Sequence, residues 1–495
     1  MSAIKTKYET VVGLEIHAEL STKTKAFCSC EYSYGGEVNT QCCPVCIGLP
    51  GTLPVLNKKV VDYALKIGLA TGCKINQSTG HHRKNYFYPD LPKGYQVTQF
   101  DNPICYDGSV EFYHKGEKRR VGLTRIHIEE DTAKILQDES FKGTLLDFNR
   151  CGVPLIEIVS EPDLRGSEEA KDFLEAVKML LAALDICNCK MQEGAIRCDI
   201  NVSVKPEGQV AYGTRVEMKN VNTFSGAVQA IEYEAARQIS LIEVGNAHEI
   251  VQETRRWDND NGINYAMRLK EGADDYRYFP ESDLTPLVIS DELIDNIKAT
   301  IPELPLAKFE RYKAMGVSEF ESRLFAEPEQ QDKAAFLEEC ISISGKSSKF
   351  IKTAANWISG DITARLNKAN LTVESSPVKP KDLCVILDMI ERGVISGTAG
   401  KQVLDELFDK YSEASQIPET IEQIVSRLGL IQVSDEGELR NITKEIVEAN
   451  PQLIADYKNG KTNILGFLVG QCMKASKGKG NPQVINKLLM EIIDA

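Results

Sequence analysis

The chain has 495 residues, of which 42% are hydrophobic and 26% charged, a composition typical of a globular protein too long for one hydrophobic core. We therefore expect two to four domains. The 72 acidic and 58 basic residues give a formal net charge of −14. This charge argues against nonspecific polyanion binding through overall charge, but it leaves room for a local basic patch.

The sequence contains no stretch of about 18 apolar residues, and its start lacks the apolar segment of a secretory signal. We therefore predict a cytoplasmic protein. Eleven of the 14 cysteines precede residue 200. In a long chain with no secretory signal we expect them to be thiols or metal ligands, because disulfides are typical of secreted domains.

Alternation of apolar and polar residues predicts a β-strand from Thr10 to Leu20. Further alternating runs, separated by Gly, Pro and Asn, occur at Gln96–Phe100, Arg120–Ile128, Cys198–Val204 and Thr214–Met218. Two helical patterns interrupt the strands, one with Ser167 as its N-cap and one that stops at Gly245. The N-terminal part is therefore predicted to be an α+β domain.

After Pro302 the periodicity becomes helical. We predict three domains, at residues 1–295, 296–416 and 417–495, of which the last two are helical. The tail contains four lysines with no acidic residue among them, namely Lys474, Lys477, Lys479 and Lys487. These lysines are either a solvated helix end or a tail that contacts phosphates.

Four cysteines form two closely spaced pairs, Cys28 with Cys30 and Cys43 with Cys46. Two such pairs can supply the four soft ligands of a tetrahedral zinc ion. The sequence places no histidine or carboxylate beside these cysteines that would suggest an open coordination position. The spacing therefore indicates a structural rather than a catalytic zinc. Cys42 is a fifth candidate ligand, and ordinary buried thiols are the alternative to a metal site.

A set of carboxylates and one histidine predicts a second metal site. Glu15 and His17 are two residues apart on the predicted first strand, so both project from its polar face. Glu157 lies inside an apolar strand, where an unpaired carboxylate costs several kcal/mol to bury. The acidic run Glu129–Asp131 ends another strand. Such ligands suit Mg²⁺, which is often shared with substrate phosphates; the alternative is that each carboxylate pairs with a nearby arginine.

The segment His81–Gln96 is dense in cations, aromatic residues and turn formers, a mixture that can hold a phosphate and stack a base. A rigid surface loop is the alternative interpretation. On a later strand Arg215, Glu217 and Lys219 share one face, which we interpret as the polar lining of a cleft. No G-x-x-x-x-G-K-[ST] loop, G-x-S-x-G elbow or H-E-x-x-H helix occurs, which argues against P-loop and common hydrolase mechanisms.

Several strings in the sequence point to one family. They are Gly13–His17, the cysteine-rich loop that ends at Gly51, Arg83–Asp90, His127–Asp131, Pro154–Pro162, Gln252–Arg256, Asp274–Pro280, Ile301–Pro305, Gly466–Gln471 and Lys474–Gly478. Together they resemble GatB, the B subunit of the tRNA-dependent amidotransferases. The resemblance extends over essentially the whole chain.

The resemblance implies a cradle-shaped α+β catalytic domain, a helical domain and a tRNA-binding tail domain similar to the YqeY proteins. It also implies a heterotrimer of this chain with an amidase, the A subunit, and a small C subunit. The amidase would release ammonia from glutamine. The GatB chain would use Mg-ATP to phosphorylate the side-chain carboxylate of Glu or Asp on misacylated tRNA(Gln) or tRNA(Asn), and ammonia would then displace the phosphate.

Carried over to this sequence, the family pattern assigns Mg²⁺ to a set of four ligands: Glu15, His17, Glu130 and Glu157. Strict alternation along the strand would instead favour Glu129 over Glu130. Lys84, Tyr86 and Asp90 are expected where ATP, the acyl end of the tRNA and incoming ammonia meet, and Lys84 is also expected to take part in catalysis. The four paired cysteines match the zinc-bearing members of the family.

Two positions depart from the family pattern. The usual E-E-D-[AS]-G-K reads EEDTAK from residue 129 to 134, so Ala133 stands at the glycine position, and Cys42 is extra. Neither change removes a proposed ligand, and we expect activity to survive. Two other functions stay open: a non-catalytic scaffold that binds tRNA, and an ammonia-dependent ligase that acts on free amino acids.

Overall fold

The computed structural model describes residues 8–136, 141–269, 273–345, 347–411, 419–432, 436–458, 463–476 and 480–494. The chain divides into two compact units, Met1–Leu306 and Ala307–Ala495. The first unit extends beyond the boundary predicted at residue 295 because Ile297, Ile301 and Leu304 pack against its hydrophobic core.

In the described part of the first unit, four α-helices interrupt long runs of strands. Its strands are β1 (Tyr8–Glu19), β2 (Lys74–Ile75), β3 (Ser78–Thr79), β4 (His82–Asn85), β5 (Tyr95–Thr98), β6 (Cys105–His114), β7 (Glu117–Glu130), β8 (Lys134–Leu136), β9 (Leu145–Asp147), β10 (Pro154–Ser160), β11 (Leu164–Arg165), β12 (Ile196–Pro206), β13 (Val216–Val221), β14 (Glu253–Asp258), β15 (Ile263–Leu269), β16 (Phe279–Pro280) and β17 (Leu287–Val288). Its helices are α1 (Lys58–Ala70), α2 (Ser167–Ala183), α3 (Phe224–Glu243) and α4 (Asp291–Lys298). The predicted α+β fold is confirmed.

A ten-stranded sheet dominates the first unit, in the order β15-β14-β13-β12-β1-β10-β7-β6-β2, with β11 paired to β1. The central strand β1 runs antiparallel to both β10 and β12. Its side chains alternate as predicted, because Val12, Leu14 and Ile16 are buried in the core while Glu15 and His17 project from the opposite face.

Three helices cover the apolar face of this sheet. Residues of α1, α2 and α3 join those of β1, β7, β10 and β12 in one hydrophobic core. Full burial of a side chain such as Phe173, at 0% exposure, contributes about 1.5–3 kcal/mol. The helices leave the other face of the sheet open, and its polar side chains are therefore available for chemistry.

The ends of two helices test the sequence predictions. Ser167 is the first residue of α2, and Gly166 occupies the N-cap position, so the predicted serine cap is wrong. The Ser167 hydroxyl instead donates to Glu232 Oε1 at 2.9 Å. Gly245 adopts a φ of 83° just after α3, and its N–H donates to the carbonyl of Ile242. The predicted helix stop is confirmed.

The second unit is helical, and its first helix begins two residues before the boundary at Ala307. Its helices are α5 (Pro305–Ala314), α6 (Glu319–Ala326), α7 (Gln331–Ser344), α8 (Ser348–Asn356), α9 (Thr363–Ala369), α10 (Pro380–Glu391), α11 (Gly397–Tyr411), α12 (Ile421–Arg427), α13 (Glu436–Ala449), α14 (Pro451–Lys458), α15 (Ile464–Ala475) and α16 (Pro482–Asp494). One core extends from Tyr312 to Val425 and a second from Leu439 to Ile493. Within the described ranges, no helix has the length and apolar character needed to cross a membrane.

The tail lysines do not form a purely basic surface. Lys474 is exposed, while Lys487 lies 3.8 Å from Glu491, measured from Nζ to Oε1. Lys477 and Lys479 lie outside the described residues. Exposed ion pairs such as that between Lys487 and Glu491 contribute little to the free energy of unfolding.

Candidate active site

The open face of the large sheet forms the floor of a cavity of about 750 Å³. This volume lies within the usual range for small-molecule sites. The strand register places His17 opposite Glu157 and Glu157 opposite His127. On the other side of β1, Glu15 lies opposite Asp199. Four adjacent strands therefore present ionisable side chains to one space.

The first cluster contains His17, Glu129 and Glu157, which each offer one ligand atom within 4.8 Å of the others. His17 Nε2 lies 3.5 Å from Glu129 Oε1 and 3.6 Å from Glu157 Oε2. His127 Nε2 approaches Glu157 Oε2 at 3.3 Å. The buried carboxylates of Glu129 and Glu157 lie within 4.8 Å of each other and repel. The arrangement therefore requires positive charge between them.

Glu130, which the family pattern assigned to this site, faces the other side of β7. Its carboxylate pairs with Lys93 and accepts the backbone N–H of Val97 at 3.0 Å. The register of β7 against β10 is regular here, so neighbouring residues point to opposite faces. The assignment of Glu130 to the cluster is therefore corrected in favour of Glu129, the residue that strict alternation selects.

Glu15 belongs to a second cluster, with Asp199 and Glu217. Asn201 Nδ2 donates to Glu15 Oε1 at 2.9 Å. Lys219 pairs with Asp199, and its Nζ lies 2.8 Å from Glu217 Oε1. Glu15 and His17 line the same cavity but are separated by two residues of strand, about 6.6 Å, and so they serve different clusters.

Two residues of the cavity, Asp199 and His127, were not predicted from the sequence. A usable signal was present for both. The alternation of the predicted strand Cys198–Val204 puts Asp199 on its polar face, and the same rule puts His127 on the side of Glu129.

The electrostatics of the first cluster follow from burial and proximity. Burial lowers the pKa of His17, but its close approach to Glu157 and the charges of Glu157, Glu129 and Asp199 outweigh that effect and raise the pKa to about 9. Burial and then the charge of Glu157 raise the pKa of Glu129. Burial opposes ionisation of Glu157, yet His127 and His17 hold its pKa well below the usual range. Protonated His17 thus supplies cationic charge that a bound metal would replace, and the residues fit a divalent cation.

Lys84 and Tyr86 line the same cavity, as predicted, in a wall of aromatic side chains. Lys84 Nζ lies 4.9 Å from the ring centre of Tyr276 and 5.9 Å from that of Tyr86. Phe100 and Tyr278 stack in the same wall with centroids 4.0 Å apart. Burial lowers the pKa of Lys84, but the charges of Glu129 and of the other ionisable groups around it together outweigh burial and raise that pKa. The cavity thus combines an acidic floor with a lysine, Lys84, in an aromatic wall.

Asp90 is not part of this cavity lining. Its Oδ2 accepts the Thr132 hydroxyl at 2.9 Å, and its carbonyl accepts the Ala133 N–H. The chain turns between β4 and β5, and this turn carries Asp90 away from the strand that presents Lys84. The expectation that Asp90 lies with Lys84 and Tyr86 is corrected.

The backbone at position 133 does not require a glycine. Among the described residues, those with positive φ do not include Ala133. Its methyl group is buried beside Cys46 and Cys151. The departure from the family pattern therefore costs no backbone strain.

The four paired cysteines meet, as predicted from their spacing. The Sγ atoms of Cys28, Cys30, Cys43 and Cys46 all lie within 4.8 Å of one another. The fifth cysteine, Cys42, directs its Sγ to the carbonyl of Asn39 at 3.4 Å instead. Four soft donors within this distance fit a tetrahedral zinc site.

A buried cation lies beside these thiols. Lys25 is 0% exposed, and its Nζ contacts Cys46 Sγ at 3.6 Å and the carbonyl of Gln41 at 2.8 Å. The hydrogen bond from Cys28 lowers the pKa of Cys46 to about 4, helped by the charge of Lys25. One thiolate is therefore favoured in the cluster before any metal binds.

Comparison with known proteins places this site in a family. A family model described as the GatB/GatE catalytic domain matches residues 10–295, which include the cavity, both acidic clusters and the four cysteines. A second, described as the GatB domain, matches residues 336–493. The chain belongs to the GatB family.

Curated relatives match this member of the GatB family over almost its whole length. The B subunit of the aspartyl/glutamyl-tRNA(Asn/Gln) amidotransferase of Caldicellulosiruptor bescii is 50% identical, with 99% of each chain covered. The protein of the same name from Caldicellulosiruptor saccharolyticus is 49% identical with the same coverage. That of Clostridium tetani is 48% identical over 98% of this chain and 99% of its own.

Proposed function

We propose that this GatB-family chain is the B subunit of an aspartyl/glutamyl-tRNA(Asn/Gln) amidotransferase, and that it converts Glu on tRNA(Gln), Asp on tRNA(Asn), or both, to the amide. The observation that carries the proposal is one cavity in which two acidic clusters face a lysine in an aromatic wall. The names of the relatives supply the substrate class.

The reaction has two balanced steps. The side-chain carboxylate of the tRNA-bound amino acid attacks the γ-phosphorus of ATP, and the bond to ADP breaks. Ammonia then attacks the acyl carbon, phosphate leaves with the electrons of its C–O bond, and the nitrogen loses a proton. Phosphoryl transfer depends mainly on positioning and charge neutralisation, which a cavity lined by ion-holding side chains can provide.

The side chains divide this work. His17, Glu129 and Glu157 would hold one Mg²⁺, and Glu15, Asp199 and Glu217 form a second acidic pocket for a cation. Bound Mg²⁺ supplies charge neutralisation for the phosphates. Lys84 remains protonated because the Glu129 charge raises its pKa, so its ammonium can contact a phosphate oxygen. Tyr86 flanks that ammonium and restricts its position.

Zn²⁺ at Cys28, Cys30, Cys43 and Cys46 is proposed as a structural ion. Its site lies outside the cavity lining, and all four ligand positions come from the protein, which leaves no open position for substrate. The ion would fix the loop between β1 and α1. In this loop, short turns and local backbone hydrogen bonds replace regular secondary structure.

The proposal includes partners and compartment. The chain contains no G-x-S-x-G elbow, and an amidase, the A subunit, would supply ammonia, with a small C subunit completing a heterotrimer in the cytoplasm. We assign the first unit, residues 1–306, to catalysis, the core from Tyr312 to Val425 to a helical domain, and the core from Leu439 to Ile493 to a YqeY-like tail that contacts the tRNA.

The deciding experiment measures release of labelled phosphate from ATP by the chain assembled with its partner subunits, at fixed Mg²⁺, with and without Glu-tRNA(Gln). We expect release only with the mischarged tRNA. A repeat with Asp-tRNA(Asn) determines which substrate is used. Binding of tRNA with no phosphate release would contradict the proposal and support a scaffold.

Removal of the tail helices α13–α16, residues 436–495, separates a tRNA-dependent enzyme from a ligase for free amino acids. We expect the truncated chain, assembled with its partners, to show a raised KM for the mischarged tRNA. Unchanged turnover of the truncated enzyme, together with amidation of free glutamate, would contradict the tRNA-dependent assignment.

A further inference from the structure

The polar face of the sheet continues beyond the cavity to an edge. Lys219, which lines the cavity, lies opposite Arg256 on β14, and Arg256 lies opposite Tyr265 on β15. Cross-strand neighbours share a face of the sheet. Strand β15 is the last strand of the large sheet. A continuous row therefore leads from the acidic clusters to the edge.

The far end of this row is apolar and exposed. Ile263, Tyr265 and Met267 on β15 are 42%, 45% and 50% exposed. The residue between the first two, Asn264, is 5% exposed and points into the network around Glu234 on the helical side. Apolar side chains at alternate positions of an edge strand are unusual on a solvated face, because such edges promote association.

Exposed arginines lie on this face of the sheet, together with the carboxylate of Asp258. Arg256 is exposed, as is Arg215 at the rim of the cavity. Asp258, the acidic neighbour of Arg256 on the same strand, is held by Asn261, whose side chain donates to it at 2.8 Å. The Arg256 guanidinium, opposite the exposed Tyr265 ring, matches a flexible strand of phosphates and bases.

The geometry points to this edge, formed by Arg256, Ile263, Tyr265 and Met267, as the binding surface for the single-stranded 3′ end of the tRNA. The inference rests on the proposed function, because the acyl group must reach the cavity while the nucleotides that precede it remain outside. Four strand spacings separate β1 from β15, about 19 Å. A base stacked on Tyr265 would leave room for further nucleotides between that ring and the acyl group.

A two-by-two binding experiment tests the inference. The assembled enzyme, without ATP, is titrated with tRNA(Gln) and with the same tRNA trimmed of its single-stranded 3′ nucleotides. Loss of one stacked base weakens binding about tenfold. We expect Tyr265→Ala to weaken binding of the intact tRNA by about this factor and to leave the trimmed tRNA unaffected. Tyr265→Phe, which keeps the ring, should bind the intact tRNA with the wild-type affinity.

Tyr233→Ala is the matched control. Tyr233 is 37% exposed on α3, which covers the opposite face of the sheet, and its ring contacts Trp257 edge to face. Thermal unfolding of both variants checks the fold. Binding of both tRNAs by the control should equal that of the wild type.

Three results would overturn the inference: equal weakening of intact and trimmed tRNA by Tyr265→Ala, no weakening of either, or loss of a partner subunit from the purified assembly. The last result would mean that a protein covers this edge by strand addition. Failure of the proposed function is a separate result, namely no tRNA-dependent phosphate release by the wild-type enzyme, and it does not depend on Tyr265.

Discussion

Glu129 and Glu130 are neighbours in sequence with opposite surroundings, which makes them a matched pair. Glu129 lies 3.5 Å from His17 in the cavity, whereas Glu130 pairs with Lys93 on the other side of β7. We predict that Glu129→Gln lowers the affinity for Mn²⁺, used as a spectroscopic substitute for Mg²⁺, and reduces tRNA-dependent phosphate release about 100-fold or more.

Glu130→Gln serves as the control for that prediction. It should keep the Mn²⁺ affinity of the cavity, because its carboxylate does not face the cluster. Electron paramagnetic resonance titration of both variants measures the affinity directly, independent of turnover. Loss of Mn²⁺ binding in Glu130→Gln with retention in Glu129→Gln would contradict the assignment.

His81 provides a pH prediction away from the cavity lining. It is 3% exposed, packs edge to face on Phe27, and burial lowers its pKa to about 4. The unfolded chain, with an ordinary histidine pKa of about 6.5, binds a proton that the folded chain resists. The contribution of neutral His81 to the free energy of unfolding is therefore fully present above pH 6.5. It falls by up to about 1.4 kcal/mol per pH unit between pH 6.5 and pH 4.

Urea unfolding at pH 7 and pH 5 measures this dependence. In His81→Phe the pH-dependent loss should shrink by about 2 kcal/mol relative to the wild type. His114, which bonds to Asp172 at 2.7 Å near the surface, is the control position. An unchanged pH dependence in His81→Phe would show that other groups cause it.

Sequence patterns predicted the strands of the site more securely than its clusters. Alternation along β1 placed Glu15 and His17 on one face, as observed. Which carboxylates meet depends on strand register, and the pairing of Glu15 with Asp199 across β12 cannot be read from either strand alone. The family pattern led to Glu130, although the simpler rule of alternation selects Glu129.

We predict that the cysteine loop between β1 and α1 depends on a bound metal. Cys43→Ser should abolish zinc binding, measured by elemental analysis, and increase proteolytic cleavage of the loop, because loss of one of four ligands removes the tetrahedral site. Cys42→Ser is the natural control, since Cys42 Sγ contacts the carbonyl of Asn39 and is not among the four sulfurs that lie within 4.8 Å of one another. Zinc lost in Cys42→Ser but kept in Cys43→Ser would contradict the ligand set.

The boundary between the two units of the chain determines where a stable catalytic fragment ends. Residues 296–306 lie beyond the family match at 10–295, yet Ile297, Ile301 and Leu304 pack against the first core. Partial burial of three such side chains contributes about 3 kcal/mol in total. A fragment that ends at residue 306 should therefore be more stable than one that ends at 295 by about that amount in urea unfolding. If the two fragments unfold at the same urea concentration, these side chains add nothing to the first unit, and the domain boundary belongs at 295.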